Sequence, residues 1–189
     1  KTEKTSRQKS CRKLKNTKNY YSPHAGQRND FMTYEELQIQ HSNLNIMEMD
    51  LSDVKNLKGL YFNENIAIEK SLTQKEKACV LAEELGHHYT SAGNILDLEK
   101  SENIKQERRA RMWAYNKQIG LVGIINAYKR GCRNLHEMAE YLDITEEFLR
   151  DALEAYRSKY GHCVIVDNYI IYFEPYLLVG DFNYHHVNE

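Results

Sequence analysis

One helix constrains the fold of this chain more than any other stretch, and the sequence predicts it over residues 73–92. Thr73 and Glu76 have the spacing of a capping box, in which each side chain bonds a free backbone amide at the start of a helix. Apolar residues then recur at helical spacing, so one face of this helix is apolar and has to be covered by the rest of the chain. These residues are Ala78, Leu81, Ala82 and Leu85.

The same helix carries Glu83-Glu84-Leu85-Gly86-His87, which has the layout of the zinc-binding H-E-x-x-H motif with Glu in its first position. Glu83 and His87 are four residues apart, so their side chains share a helix face and can ligate one ion. Glu84 lies about 100° round the helix from Glu83, in the general-base position of such sites. The alternative interpretation is a cluster of solvated charges. Because charges beside an apolar face usually have a partner or an ion, the pattern favours a metal site.

Gly86 supports the same interpretation. A glycine inside a helix costs about 1 kcal/mol relative to alanine, so we expect another element to pack closely against this position.

Composition bounds the class of protein. The 189 residues form one domain, or one domain with appendages, and 41% hydrophobic with 28% charged residues is an ordinary globular balance. No apolar run reaches membrane-spanning length, and none resembles a secretion signal. The four cysteines are far apart and form no C-x-x-C pair, which argues against a zinc ribbon and favours a reducing, cytoplasmic setting.

Residues 1–31 differ in composition from the remainder. Residues 1–30 contain nine Lys and Arg against two acidic residues, a net charge of about +7 within a chain whose total is -1. Leu14 is almost the only aliphatic residue there, so the segment cannot bury a face and is predicted to be a disordered tail. A nucleic-acid contact is the alternative, which we regard as weaker.

Short elements precede the central helix. Thr33 and Glu36 form a second capping box, which predicts a helix over residues 33–42. Strands are predicted over Asn45–Met49, Gly59–Phe62 and 66–68, and the last two flank a hairpin-type turn. We therefore expect a small antiparallel sheet.

After residue 92, a polar loop leads to a predicted helix over residues 102–117. Glu107 lies on the same face as Ala110 and Ala114. A carboxylate among small and apolar residues is uncommon unless it is paired or bound to metal, so Glu107 is the preferred third ligand. The alternative partners of Glu107 are Lys105, Arg108 and Arg111, and the rival ligands are Asp97, Glu99 and Glu102. A metzincin layout is excluded, because it needs Gly at Thr90 and a ligand at Gly93.

Three further helices and a hairpin are predicted in the C-terminal part. The helices cover residues 121–130, 134–142 and 145–160, and the strands cover 162–166 and 169–174. The second and third helices have a helix-turn-helix pattern, but the third would present Glu146, Glu147, Asp151 and Glu154 to DNA phosphates. Direct nucleic-acid binding is therefore not expected. His185 and His186 are two isolated histidines, which do not usually form a defined metal site.

Two segments together resemble the ImmA/IrrE metallopeptidases of phages, integrative elements and their bacterial hosts. VLAEELGHHYTSAGNILD is similar to the family's H-E-x-G-H helix, and QERRARMWAYN is similar to its E-x-x-A-x-x-F/W-A segment. The resemblance covers about residues 32–182. It implies an α+β, mainly helical zincin-like fold, with a peptidase core over residues 32–118 and a helical region with a β-hairpin over residues 119–189.

The resemblance also implies a function. Members of this family are zinc-dependent, site-specific proteases that cleave a cognate helix-turn-helix repressor and so derepress a phage or mobile element. Carried over to this chain, Glu84 is the general base and His87 and Glu107 are metal ligands. Glu83 stands where the family usually has histidine. A second carboxylate removes about one positive charge from the zinc site, which weakens the activation of its water and favours Mn²⁺ or Fe²⁺ as alternatives. A catalytically weak or inactive repressor-binding protein, or a DNA-binding regulator, remains as an alternative function.

Overall fold

The computed structural model describes residues 11–14, 31–90 and 100–182. The described part contains six helices and seven strands arranged in two small mixed sheets, which confirms the predicted α+β, mainly helical class. The elements are β1 (Arg12–Lys13), α1 (Tyr34–Gln40), β2 (Asn45–Met49), β3 (Gly59–Phe62), β4 (Asn65–Glu69), α2 (Gln74–Thr90), α3 (Lys100–Gln118), α4 (Gly120–Lys129), α5 (Leu135–Tyr141), α6 (Glu146–Tyr160), β5 (Cys163–Val166), β6 (Tyr169–Tyr172) and β7 (Leu178–Asp181). No helix in these residue ranges is long and apolar enough to cross a bilayer.

The predicted helix starts are confirmed by hydrogen bonds. The Thr33 side chain accepts from the Glu36 amide while Glu36 bonds the Thr33 amide, as a capping box requires. Glu76 likewise accepts from the Thr73 amide at 2.8 Å ahead of α2. Thr145 caps α6 through the Phe148 amide, 3.1 Å from the threonine hydroxyl. These short-range bonds are encoded by residues three apart, so the sequence alone specifies where the helices begin.

The first sheet has the order β2-β4-β3, and β3 lies at its edge. All three predicted strands are present, but the sheet is mixed: β3 and β4 are antiparallel, whereas β2 and β4 are parallel. Ile66 and Ile68 on the central strand are fully buried and pack in the same core as α2. The parallel pairing follows from the long connection between β2 and β3, which lets β4 insert between them.

The second sheet contains the predicted hairpin of β5 and β6 and two strands that the sequence pattern does not predict. β7 pairs antiparallel with β6, and β1 pairs parallel with β5. A disulfide joins Cys11 to Cys163, with 5.2 Å between their Cα atoms. Residues 11–14 belong to the predicted disordered tail. They pair nonetheless, because a backbone ladder needs no aliphatic face. Residues 1–10 and 15–30 of the predicted tail, and His185 and His186, lie outside the described residues, whereas Phe31 is described and contacts the ring of Tyr141.

His41, at the end of α1, provides a test of this packing. The residue is buried, its Nδ1 lies 2.9 Å from the Tyr89 hydroxyl, and its Nε2 has no hydrogen-bond partner among the residues that the structure describes. Burial, followed by the charges of Lys117 and His88, lowers the pKa of His41 from 6.5 to about 4. The folded protein therefore keeps His41 neutral at pH values where the unfolded chain binds a proton.

Because this folded-state pKa is lowered, stability is expected to fall as the pH decreases from about 6.5 towards 4, by up to about 3 kcal/mol from this group. Urea unfolding of the wild type and of His41→Gln across this range measures the effect. Carboxylates titrate in both proteins and lower the stability of both by the same amount. Only the wild type should show the additional loss that comes from His41. Equal losses would show that His41 accepts its proton in the folded state.

Candidate active site

The site is built where α2 and α3 cross, and Gly86 makes the crossing possible. A Cβ added to Gly86 would lie 2.3 Å from the backbone oxygen of Ala110 on α3. That is well inside contact distance, so only glycine allows the two helices to approach this closely. The predicted close packing at Gly86 is confirmed. As a consequence, the residue next to the contact on α2, His87, comes within bonding distance of Glu107, one turn from the contact on α3.

His87 on α2 meets Glu107 on α3, and the distance from Nε2 to Oε2 is 3.2 Å. The hydrogen bond from His87 holds the pKa of Glu107 below its usual range, and the same bond raises the pKa of His87. The pair is half-buried, with side-chain exposures of 24% for His87 and 42% for Glu107. Two of the predicted ligands from two separate helices are therefore in contact.

The second oxygen of Glu107 is bound by Arg111. The Arg111 Nε donates to Oε1 across 2.6 Å, four residues along the same helix. The sequence offered a metal-ligand role and an arginine partner as competing interpretations of Glu107. The structure contains the histidine contact and the arginine contact together.

Glu84 lies in the same cleft as this pair. The cleft has a volume of about 320 Å³ and is lined by Gly59, Leu60, Tyr61, Glu84, His87, Asn103, Gln106 and Glu107. Burial, the largest effect, raises the pKa of Glu84 to about 7, while the nearby His87 and a hydrogen bond from the Tyr61 backbone amide act in the opposite direction. The edge strand β3 thus contacts the carboxylate directly. A group with this pKa can both accept and release a proton near neutral pH.

Gly59 on β3 makes room for Glu84. A Cβ at Gly59 would lie 2.5 Å from Val80 Cγ1 and 2.8 Å from Glu84 Oε1. Gly59 and Tyr61 are site residues that the sequence motifs do not identify. A glycine at the first position of a predicted strand is the signal that could have indicated Gly59.

Glu83 takes a different position. It lines a neighbouring cleft of about 260 Å³ together with Arg111, Glu147 and Asp151, and it does not line the cleft of His87 and Glu107. Burial raises the pKa of Glu83, and the positive charge of Arg111 opposes that rise. A carboxylate facing a guanidinium is a stable arrangement without any metal.

The residues as placed therefore supply two donors of a metal site and not a third. Within residues 11–14, 31–90 and 100–182, no three His, Cys, Asp or Glu side chains form a group that could hold a metal ion. The imidazole of His87 and the carboxylate of Glu107 are suitable zinc ligands, but Glu83 is not gathered with them. The rival ligands Asp97 and Glu99, and the side chain of Glu102, lie outside the described part of the chain.

Residues 37–154 match the Peptidase M78 family, the IrrE N-terminal-like domain. The chain belongs to this family. The match spans β2–β4, α2 and α3, so every residue of the cleft lies inside the IrrE-like domain. The resemblance to the ImmA/IrrE metallopeptidases is confirmed, and membership makes this a metallopeptidase domain. A comparison with curated proteins gave no match. The roles assigned to Glu83, Glu84, His87 and Glu107 remain predictions.

Proposed function

We propose that this IrrE-like domain is a metal-dependent endopeptidase that cleaves a DNA-binding repressor of the helix-turn-helix class, in a phage or other mobile element. The observation that carries the proposal is the grouping of Glu84, His87 and Glu107 in one cleft at the crossing of α2 and α3. These are the residue types that a metal-dependent hydrolase needs: a proton acceptor beside two metal donors.

Glu84 supplies the proton chemistry in this proposal. Its carboxylate lies in the cleft beside His87 and Glu107, where it can take a proton from an attacking water and transfer that proton to the departing amine. The amide of Tyr61 orients the carboxylate towards the cleft. A bound Zn²⁺, Mn²⁺ or Fe²⁺ would polarise the scissile carbonyl and acidify water. His87 and Glu107 would hold that ion, and Glu83, the third ligand that the sequence predicts, would have to leave the neighbouring cleft to join them.

The edge strand β3 supports an extended peptide as the substrate. Gly59, Leu60 and Tyr61 form one wall of the cleft, and β3 is bonded to β4 on its other side. Peptides commonly bind exposed sheet edges by adding a strand, which brings their backbone alongside the edge. A peptide bound in this way would pass directly beside Glu84.

The charge around the site supports a basic partner. Glu147 and Asp151 of α6 line the cleft that contains Glu83. The side chain of Glu147 is 78% exposed, and its carboxylate lies 3.9 Å from the ammonium group of Lys58. Acidic groups at the rim of a site steer positively charged partners towards it, and DNA-binding domains are positively charged.

The substrate can be identified even when its sequence is unknown. New protein N-termini are labelled and sequenced from host cells that express the wild type or His87→Gln. We expect new N-termini that depend on His87 and map to a helix-turn-helix protein. If the wild type generates no new N-termini beyond those of His87→Gln, the endopeptidase proposal fails.

A binding protein without hydrolytic activity is the second candidate. Glu83 lines the cleft of Arg111 and not the cleft of His87 and Glu107, which favours this alternative. Such a protein would bind the repressor and block its function without cleaving it. Cells expressing it would then be derepressed while every repressor molecule stays intact, which immunoblotting of the repressor distinguishes from cleavage.

A further inference from the structure

Arg111 lies between two carboxylates that belong to the proposed metal site. Its Nε is 2.6 Å from Glu107 Oε1, and its side chain lines the cleft of Glu83. Glu83 and His87 are on the same helix face at a spacing that allows shared ligation, yet they line different clefts. Arg111 and Lys58 both line the cleft of Glu83. Of these two cations, Arg111 also bonds Glu107, so its guanidinium favours the separated arrangement.

We propose that Arg111 is an internal cation that competes with the metal for Glu107 and Glu83, so that metal binding requires Arg111 to be displaced. The inference rests on the proposed metal site. A dication that gathered His87, Glu107 and Glu83 would face the positive charge of Arg111 at short range, and the two cations would repel each other. Glu107 would also have to exchange its bond from the guanidinium for the metal.

The alternative role for Arg111 is to assist metal binding by orienting Glu107. Groups that hydrogen-bond a metal-ligating carboxylate often orient it, and their removal typically weakens metal binding by about 10–100-fold. An orienting residue needs to contact only the ligand that it orients. Arg111 contacts Glu107 and also faces Glu83 in the neighbouring cleft, which is the arrangement expected of a competing cation. The two roles predict opposite signs for the same substitution.

The test is zinc affinity, measured on the metal-stripped full chain by competition with a chromophoric chelator. Arg111→Met should bind Zn²⁺ at least about tenfold more tightly than the wild type, because removing the guanidinium removes the competing charge. Arg111→Lys keeps the charge within reach of Glu107 and should remain close to the wild type. Arg108→Met, an exposed arginine one turn earlier on α3, is the matched control and should change nothing.

Arg111 is 47% exposed, so these variants are expected to fold, and circular dichroism checks this. Weaker or unchanged zinc binding by Arg111→Met, in a protein whose wild type binds zinc, would overturn the competition while leaving the proposed function in place. If neither the wild type nor Arg111→Met binds zinc, both the competition and the metal-dependent function fail. Tighter binding by Arg111→Met and Arg108→Met alike would overturn a specific role of Arg111.

Discussion

Replacing Glu84 with glutamine is expected to lower the rate of peptide-bond cleavage by about 10²–10⁴-fold, the usual contribution of a positioned general base. Glutamine has the size of glutamate, and its carbonyl oxygen can still accept the hydrogen bond from the Tyr61 amide. It cannot accept a proton from water. The cleft should therefore keep its shape, and the variant should lose general-base catalysis. Steady-state kinetics on the identified substrate would measure the lowered cleavage rate.

Two controls make this result specific. Glu35→Gln removes the same charge from an exposed position in the first turn of α1, and its rate should equal that of the wild type. Zinc binding by Glu84→Gln should also persist, because Glu84 is not assigned as a ligand. A Glu84→Gln protein that cleaves within about threefold of the wild type would show that another group takes the proton.

Adding one methyl group at Gly86 is expected to lower the stability of the fold strongly. In Gly86→Ala the new carbon would lie 2.3 Å from the Ala110 backbone oxygen, so α2 and α3 must move apart. Overpacking in a core typically costs about 1–3 kcal/mol, and this clash is with backbone, so we expect a loss of about 3 kcal/mol in the free energy of unfolding. Urea unfolding curves would measure it.

Gly123→Ala is the matched substitution for this experiment. Gly123 also lies inside a helix, but a Cβ there would be 3.3 Å from a Leu142 methyl group, which can shift. The free energy of unfolding of this variant should lie within about 1 kcal/mol of the wild-type value, because the higher helix propensity of alanine offsets a mild steric contact. Similar stability of Gly86→Ala and the wild type would contradict the account of the helix crossing.

The sequence could predict helix starts because the groups involved are close together along the chain. Thr33, Thr73, Asn134 and Thr145 each bond an amide or a side chain three residues away, so no distant part of the fold is needed. Strand pairing is different. The parallel pairing of β1 with β5 joins residues about 150 positions apart, which no local pattern encodes.

The same difference explains how much of the site the sequence predicts. The sequence predicts the contact of His87 with Glu107, because His87 belongs to the metal-binding motif and Glu107 is a carboxylate on the core-facing side of the next helix. The structure contains this contact. The separation of Glu83 from this pair is not expected. Helical spacing fixes the direction in which Glu83 leaves the backbone, but the cleft that its side chain lines is formed with Arg111 of the neighbouring helix, which the local sequence does not indicate.

The central claim is that His87 and Glu107 belong to a site for one divalent metal ion. Isothermal titration of the metal-stripped protein with Zn²⁺ tests it most directly. We expect one equivalent bound by the wild type, and affinity lowered by more than about a hundredfold in His87→Gln, because losing a direct ligand exceeds the effect of losing an outer-shell partner. His136→Gln, on the exposed surface of α5, should match the wild type. A wild-type protein that takes up no zinc, or a His87→Gln protein that binds it equally well, would contradict the account.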